Sequence, residues 1–269
     1  MCIRDRSKGD GSSRGLSLYE VFKMSMLGPY ASWNKETGYA VWDHPTAEYT
    51  GIFERLNVHI KGIIHVGMWD FVEYGCYTKL VGNNVIGIEA NPQVYKDMAK
   101  PVADKWGFKC FNEFLSDKDK EVRDFYFAGE GSSLYKGQPQ WNKNVSIKVQ
   151  TKTLATVIEE NEIDMNGYDF LNIDAEGAEF DVLKGFEKYL DHINVIDLET
   201  SYDDRHRSGA DHNTIVQWLS ERGFELKEMS DSYQSQNWGD SVFARVNREL
   251  PPFVDENVGT KIFGENYLG

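Results

Sequence analysis

The chain has 269 residues, of which 41% are hydrophobic, and its formal net charge is −14. This length is enough for one large domain with a buried core and short extensions. Nucleic-acid binding needs a basic field, so the negative charge argues against nucleic acid as a partner, and it also disfavours an anionic membrane surface. We attribute the charge to solubility.

The three cysteines are Cys2, Cys76 and Cys110, and their wide spacing does not resemble that of a zinc site. This pattern predicts a reducing, cytoplasmic location. No uninterrupted apolar run approaches the ~20 residues that span a bilayer. The start of the chain is polar and basic, which is unlike a secretory signal, so we expect no membrane association.

Both ends of the chain are predicted to lie outside the main domain. Residues 1–15 are rich in Gly, Ser and charge, which predicts a disordered tail. Residues 16–59 are predicted to form a cap, in which an aromatic, turn-rich stretch separates two helices, 16–27 and 47–56. Residues 249–269 begin with two prolines and show little periodicity, which indicates a loosely attached arm.

Between residues 60 and 248, short apolar runs alternate with amphipathic segments, which predicts an α/β domain. Asn91 is expected to cap a helix that starts at Pro92, and Pro101 to break or kink that helix. Asp211 or Asn213 is expected to cap a later helix. The predicted strands are 62–66, 85–88, 108–111, 123–127, 145–151, 168–174, 194–198, 224–228 and 241–246. Two of them, 123–127 and 145–151, interrupt the alternation of strand and helix, so we interpret them as added strands.

Residues 172–179 place three carboxylates around a glycine between a strand and an amphipathic helix. Ligand crevices form outside the carboxyl ends of strands in open α/β sheets. Asp174, still on the strand, is the strongest candidate to reach a ligand, followed by Glu176. Glu179 best fits a helix-terminal acid that complements the helix dipole, and the same interpretation is open for the other two.

Gly67 and Glu89 follow the first and second strands of the predicted domain. A glycine there lets the backbone approach a ligand, and a carboxylate at the second strand end can accept both hydroxyls of a ribose. This pairing serves nicotinamide cofactors and S-adenosylmethionine alike. The stretch from Gly67 to Val72 lacks the further glycines that a pyrophosphate needs. S-adenosylmethionine has no pyrophosphate and is therefore favoured.

The segment from Asp169 to Gly185, DFLNIDAEGAEFDVLKG, resembles the FkbM-type methyltransferase family, whose members read roughly DFLKIDVEGAE…VLKG here. Further matches, in the family's order, extend the resemblance over about residues 60–246. They are Ile63–Gly67, Ile88–Pro92, Leu115–Asp117, Ser132–Leu134, Val149–Leu154, Val195–Ser201, Gly223–Phe224 and Trp238–Asp240.

The resemblance implies a Rossmann-like class I methyltransferase sheet with helices on both faces, added strands and a short N-terminal extension. It further implies methyl transfer from S-adenosylmethionine to a hydroxyl on a small molecule or glycan. The implied cofactor-binding residues are His65, Gly67, Glu89, Ala90, Asn91, Leu115, Ser116 and Asp174. The candidate catalytic residues are Asp174 and Glu176, because a carboxylate can take the acceptor's proton.

The candidate substrate-binding residues are Ser132, Ser133, Glu199, Arg205, His206 and Trp238. For most of them a structural interpretation remains open: the serines can satisfy a turn, Arg205 and His206 can belong to a solvated loop, and Trp238 can fill the core. Metal binding by Asp174, Glu176 and Glu199 is an open alternative, because hard cations favour carboxylates, but these acids lack a metal-specific spacing and no metal is the preferred interpretation.

Two positions depart from the family pattern, which usually has an acid at His65 and a glycine at Phe71. His65 is either a ligand or a buried histidine, and Phe71 is expected to crowd the cofactor loop. Two functions other than methyl transfer remain open. One is a degenerate binding module in which Phe71 closes the cofactor site. The other is a nucleotide-sugar or NAD oxidoreductase, which should show a phosphate-binding glycine loop.

Overall fold

The computed structural model describes residues 31–34, 39–42, 47–69, 71, 73–129, 131–136, 145–201, 209–230 and 238–253. The chain divides into two compact units, residues 1–45 and 46–269. In the first unit, β1 (Ala31–Asn34) and β2 (Tyr39–Trp42) pair antiparallel. The aromatic, turn-rich composition of this stretch did not indicate these two strands. The predicted tail and helix 16–27 lie outside the described residues, so they and the domain boundaries stay predictions.

The second unit contains nine described strands and a set of short helices. The strands are β3 (Ile63–Val66), β4 (Val85–Ile88), β5 (Lys109–Phe111), β6 (Val122–Phe127), β7 (Val145–Gln150), β8 (Phe170–Ile173), β9 (Val195–Ser201), β10 (Phe224–Met229) and β11 (Trp238–Arg245). The α-helices are α1 (Ala47–Leu56), α2 (Tyr74–Val81), α3 (Pro92–Val94), α4 (Lys100–Trp106), α5 (Leu154–Glu160), α6 (Glu179–Phe186) and α7 (His212–Ser220). Among the described helices, none is both long and apolar enough to cross a membrane.

Seven strands form one sheet in the order β10-β11-β9-β8-β3-β4-β5. The five strands from β9 to β5 are parallel, whereas β11 runs antiparallel to both of its neighbours. Every residue of β3, β4, β8 and β9 is buried, as expected for parallel strands covered on both faces. The predicted Rossmann-like sheet is confirmed.

Helices cover both faces of this sheet. On one face, Ile64 and Val66 of β3 belong to a core that includes Val157 of α5 and Val182 of α6. On the other face, the ring of Phe53 in α1 packs edge-on against Phe170 of β8, at 5.0 Å between centroids. Successive residues of a strand point to opposite faces, so each strand contributes to both layers.

The predicted helix starts are confirmed where a polar side chain caps them. The side chain of Asn91 accepts hydrogen bonds from the backbone of Gln93 and Val94, and Asp211 caps α7 through Thr214. Pro101 does not end its helix. A π-helical stretch, Tyr95–Ala99, lies between α3 and α4, so that the segment stays helical as far as Trp106. A π-bulge is one way in which a helix accommodates such an interruption.

The two added strands are also confirmed, as a separate antiparallel pair outside the main sheet. β6 pairs with β7 on one edge, and on its other edge Tyr126 exchanges two backbone hydrogen bonds with Ser133. Phe125, Leu134 and Val149 form a small buried cluster beneath this pair. The segment around Ser133 is therefore attached to this pair and forms an additional wall beside the main sheet.

The loops after β3 and β8 start side by side. The backbone N–H of Asp174 donates to the carbonyl of Val66 at 2.9 Å, which extends the parallel pairing beyond both strands. Gly67 has a φ of 83°, and a Cβ atom at this position would collide with the carbonyl of Asp174. Only glycine fits this approach, so the sequence motif around Gly67 and the acidic turn meet at the sheet edge.

Candidate active site

An open cleft enclosing about 550 Å³ lies at the carboxyl edge of the parallel strands. Most of its lining comes directly after strand ends: Gly67 and Trp69 after β3, Glu89 and Ala90 after β4, Glu113–Leu115 after β5, and Asp174–Glu176 with Ala178 after β8. The separate strand pair adds Phe125, Ser132, Ser133 and Leu134. This is the edge at which open α/β sheets bind ligands.

The structure brings eight of the predicted site residues to this cleft and leaves several others away from it. Those in the lining are Gly67, Glu89, Ala90, Leu115, Ser132, Ser133, Asp174 and Glu176. His65, Asn91 and Ser116 are not among the lining residues. Arg205 and His206 lie outside the described residues, as does the side chain of Trp238, whose backbone begins β11 opposite Ser201.

Glu89 is a buried carboxylate held by the backbone. Its two oxygens accept hydrogen bonds from Trp69 N at 2.9 Å and Asn91 N at 2.7 Å, and the residue is 6% exposed. Burial raises the pKa of Glu89 to about 7, against the opposing effect of these amides. Each carboxylate oxygen has a second lone pair, so the group can still accept hydrogen bonds from a ligand in the cleft.

Three more carboxylates meet beside the acidic turn. Oxygen atoms of Asp174, Glu176 and Glu199 lie within 4.8 Å of one another. Asp174 is exposed, Glu176 is half-buried and Glu199 is buried. Glu179 does not join them, because its Oε1 accepts hydrogen bonds from the backbone of Ala175 and Gly177 and so stabilises the turn. This agrees with a structural role for Glu179.

His65 lies inside the domain instead of lining the cleft. It is 3% exposed, and its Nδ1 lies 3.3 Å from the hydroxyl of Tyr77, which in turn accepts a hydrogen bond from Asn172. Burial lowers the pKa of His65 to about 3, so the ring is neutral at physiological pH. The structure therefore supports the buried-histidine interpretation, and a ligand role for His65 stays a prediction.

Asn91 and Ser116 have structural roles of a similar kind. The side chain of Asn91 caps its helix, and only its backbone N–H contacts the site, through Glu89. Ser116 is fully buried, and its hydroxyl accepts a hydrogen bond from Arg123 at 3.0 Å. Each side chain therefore supports a neighbour of the cleft and does not line the cleft itself.

The two serines of the added wall line the cleft, but their hydroxyls also serve the local turn. Ser132 Oγ donates to the carbonyl of Gly129 at 2.7 Å and accepts from Ala128 N at 3.0 Å. Ser133 Oγ accepts from Tyr135 N at 3.0 Å. The turn interpretation thus has direct support, while the position of both residues keeps a substrate contact open.

Some lining residues were missed as binding candidates. Glu113 and Phe114 follow β5 as Glu89 follows β4, so the strand-end rule could have found them. Glu113 is paired with Lys152 at 2.7 Å. Phe125 and Leu134 reach the cleft only because the separate strand pair folds beside the sheet, and no local sequence pattern indicates that.

Left-handed backbone is concentrated around the cleft. Three non-glycine residues in its loops have positive φ: Trp69 at 42°, Phe71 at 61° and Glu176 at 55°. The ring of Phe71 is fully buried and packs against His65, Tyr77 and Phe108, with centroids 5.2 to 6.0 Å away. Phe71 therefore points into the core, and the expectation that it crowds the cofactor loop is wrong.

The seven-stranded sheet, with its cleft at the carboxyl edge of the parallel strands, is of the Rossmann-like α/β class. A model of the methyltransferase FkbM domain matches residues 59–226, and the chain belongs to this family. The predicted family is thereby confirmed. A search of curated proteins finds no significant match to the chain.

Several solved methyltransferase structures are similar to this chain over much of its length. A precorrin-6y C5,15-methyltransferase from Geobacter metallireducens has 14% identity and a TM-score of 0.42, covering 74% of this chain and 86% of its own. A SAM-dependent methyltransferase from Aquifex aeolicus has 11% identity and a TM-score of 0.41, with 75% and 90% covered. The SAM-bound magnesium protoporphyrin IX methyltransferase of Synechocystis has 8% identity and a TM-score of 0.42, with 76% and 77% covered.

The position of Phe71 leads to a stability prediction. Phe71→Gly removes a fully buried ring, which costs ~3–5 kcal/mol, and relieves left-handed strain of ~1–2 kcal/mol. We expect the free energy of unfolding in urea to fall by roughly 1–4 kcal/mol. Val122→Ala is the control, because Val122 is 60% exposed and its truncation should change stability by less than ~0.5 kcal/mol. An unchanged value for Phe71→Gly would contradict the core position of the ring.

Proposed function

We propose that the protein transfers a methyl group from S-adenosylmethionine to a hydroxyl oxygen of a small molecule or glycan, in the cytoplasm. The observation that carries the proposal is Glu89, a buried carboxylate at the end of β4 that is oriented by two backbone amides and lines the cleft. A carboxylate fixed in this way suits the paired hydroxyls of a ribose. Membership of the FkbM family supports the methyl-transfer chemistry.

The charges of the cleft favour this cofactor over a dinucleotide. Four carboxylates line it, from Glu89, Glu113, Asp174 and Glu176, and no Lys, Arg or His occurs among its described lining residues. Such a site repels the pyrophosphate of a dinucleotide or nucleotide sugar. It attracts a ligand that carries a sulfonium cation and no phosphate. The charge of the cleft therefore disfavours the alternative of a nucleotide-sugar or NAD oxidoreductase.

The lining residues fit the parts of S-adenosylmethionine. Glu89 would bind the ribose, while Ala90 and Leu115 offer apolar contacts for the base. Gly67 and Asp174, which meet at the edge between β3 and β8, would bind the methionine end. Phe71 points away from this space, so the proposal of a degenerate binding module with a closed cofactor site loses its main support.

For this reaction the protein mainly has to orient the acceptor hydroxyl and to accept its proton. When bound, the cofactor supplies an already activated methyl group. The walls of the cleft would hold the acceptor hydroxyl in line with it, and orientation of this kind contributes ~7–11 kcal/mol. Asp174 or Glu176 would take the proton that the hydroxyl loses. Ser132, Ser133 and the nearby Glu199 are the described candidates for contacts with the acceptor.

The first test is calorimetric binding of S-adenosylmethionine and S-adenosylhomocysteine. We expect both to bind the parent protein and Glu89→Ala to bind about 10- to 150-fold more weakly, since hydrogen bonds to a charged group contribute ~1.5–3 kcal/mol. Glu121→Ala, which removes an exposed carboxylate on the surface, should bind like the parent. The absence of binding by the parent would overturn the proposed function. Unchanged affinity of a folded Glu89→Ala variant would overturn the role of Glu89.

The raised pKa of Glu89 predicts a pH-dependent affinity. The ribose hydroxyls need the ionised carboxylate, so affinity for S-adenosylhomocysteine should be full above pH 7 and fall about tenfold per unit below the pKa of about 7. Conversely, because the pKa is raised on folding, ionisation of Glu89 destabilises the ligand-free protein as pH rises from 4.5 towards 7. Calorimetry from pH 5.5 to 8.5 measures the first effect, and Glu89→Ala should abolish it.

A kinetic prediction concerns the general base. Glu176→Gln should keep the cofactor bound and slow single-turnover methylation by ~10²–10⁴-fold, the usual contribution of a positioned base. The assay uses a donor labelled in the methyl group and an acceptor found by screening hydroxylated small molecules and glycans. Glu221→Gln, at the exposed end of α7, is the control. A Glu176→Gln enzyme as fast as the parent would leave Glu176 as a helix-terminal acid.

A further inference from the structure

We infer that Asp181 is a positioning residue that fastens one wall of the cleft to the helix that follows the acidic turn. The inference rests on the proposed function, because it assigns Asp181 to the binding of the same cofactor. Asp181 lies in the first turn of α6 and is not itself among the cleft-lining residues. Its effect on the site therefore has to pass through the residues it contacts.

The two walls in question come from distant parts of the chain. One is the segment of Ser132, Ser133 and Leu134, and the other is the acidic turn from Asp174 to Ala178, directly before α6. The first wall is attached to β6 by the backbone pairing of Ser133 with Tyr126. Because β6 belongs to a separate two-stranded sheet, this pairing alone does not fix the distance between the walls.

Asp181 adds a direct attachment between the two walls, besides the contacts of β6 with Phe114 and Ser116. Its Oδ2 accepts a hydrogen bond from the hydroxyl of Tyr135 at 2.6 Å, and Tyr135 directly follows the wall residue Leu134. The same oxygen accepts from Arg123 of β6 at 3.1 Å. The guanidinium also lies over the ring of Tyr135, 4.8 Å from its centroid. Both the wall and the strand that carries it are thus connected to α6.

The contacts are shielded enough to be strong. The side chains of Asp181 and Arg123 are 12% and 19% exposed, so water competes weakly for them. Burial alone would raise the pKa of Asp181, but the hydrogen bonds from Tyr135, Lys184 and Arg123 outweigh it and lower the pKa. The carboxylate is therefore ionised at physiological pH, and its hydrogen bonds are charge-assisted.

The helix α6, to which the wall is attached, is itself held in place. Lys184 bridges Asp181 at 2.9 Å and Asp117 at 3.3 Å, which connects α6 to the chain after β5. One residue on, α6 packs so closely that a Cβ atom on Gly185 would collide with the carbonyl of Ser116. If the hydrogen bond from Tyr135 is lost, the wall is therefore the part that is free to move, and the helix stays in place.

Tyr135→Phe tests the inference, because it removes only the hydroxyl and keeps the ring beneath Arg123. Tyr189→Phe is the matched control, since the Tyr189 hydroxyl donates to Glu159 on an exposed surface. We expect Tyr135→Phe to weaken S-adenosylhomocysteine binding about tenfold in calorimetry and Tyr189→Phe to leave it within about twofold. In the ligand-free protein, amide hydrogen exchange of residues 131–136 should rise only in Tyr135→Phe.

Asp181→Asn provides a second variant, which keeps the size of the side chain but removes its charge. It should reproduce both effects with an unchanged far-ultraviolet circular dichroism spectrum. Parent-like affinity and exchange in both variants would overturn the inference and leave the proposed function intact. A lowered melting temperature with parent-like affinity would also overturn it, because Asp181 would then stabilise the fold only. No binding by the parent would instead refute the proposed function, and the exchange result would still test the attachment.

Discussion

The close approach of Gly67 to Asp174 is the constraint on which the cleft depends. Parallel pairing of β3 and β8 continues past both strands through the hydrogen bond from Asp174 N to Val66 O. A side chain at Gly67 would separate the two loops, since its Cβ would collide with the Asp174 carbonyl. The loop that reaches towards Glu89 and the turn that carries Glu176 therefore start from one point. The distance between this loop and this turn is set by the backbone contact at Gly67.

Backbone amides also decide how the site handles charge. Glu89 is buried, and the backbone N–H groups of Trp69 and Asn91 orient it in place of a basic side chain. A lysine or arginine in that position would neutralise the carboxylate and occupy the lone pairs that a ribose needs. Amides leave the negative charge available to a ligand. The same arrangement explains the raised pKa, because amide dipoles compensate burial only in part.

Much of this fold was predictable because its strongest signals are local. Apolar runs identified the strands, and the capping side chains of Asn91 and Asp211 marked helix starts. The rule that ligands bind at the carboxyl ends of parallel strands found Gly67, Glu89 and Asp174. The order of the strands was not predicted, since it depends on contacts between residues far apart in sequence.

The family resemblance implies cofactor contacts for His65 and Ser116, but neither residue lines the cleft. His65 precedes Val66 in the same strand, yet adjacent strand residues point to opposite faces, so only Val66 reaches the cleft. Ser116 follows Leu115, which lines the cleft, but its hydroxyl is turned towards Arg123. Side-chain direction at a strand end depends on what covers each face, and the sequence motif does not contain that information.

Phe71 combines a strained backbone with a well-packed side chain. The residue has a φ of 61°, in the left-handed region that favours glycine. Left-handed backbone costs a non-glycine residue ~1–2 kcal/mol, whereas burying a phenylalanine side chain stabilises by ~1.5–3 kcal/mol. The ring against Tyr77 and Phe108 therefore offsets the strain of the loop. Because the strain is compensated in the core, the cleft on the other side of the loop remains open, and Glu89 keeps its hydrogen bond from Trp69.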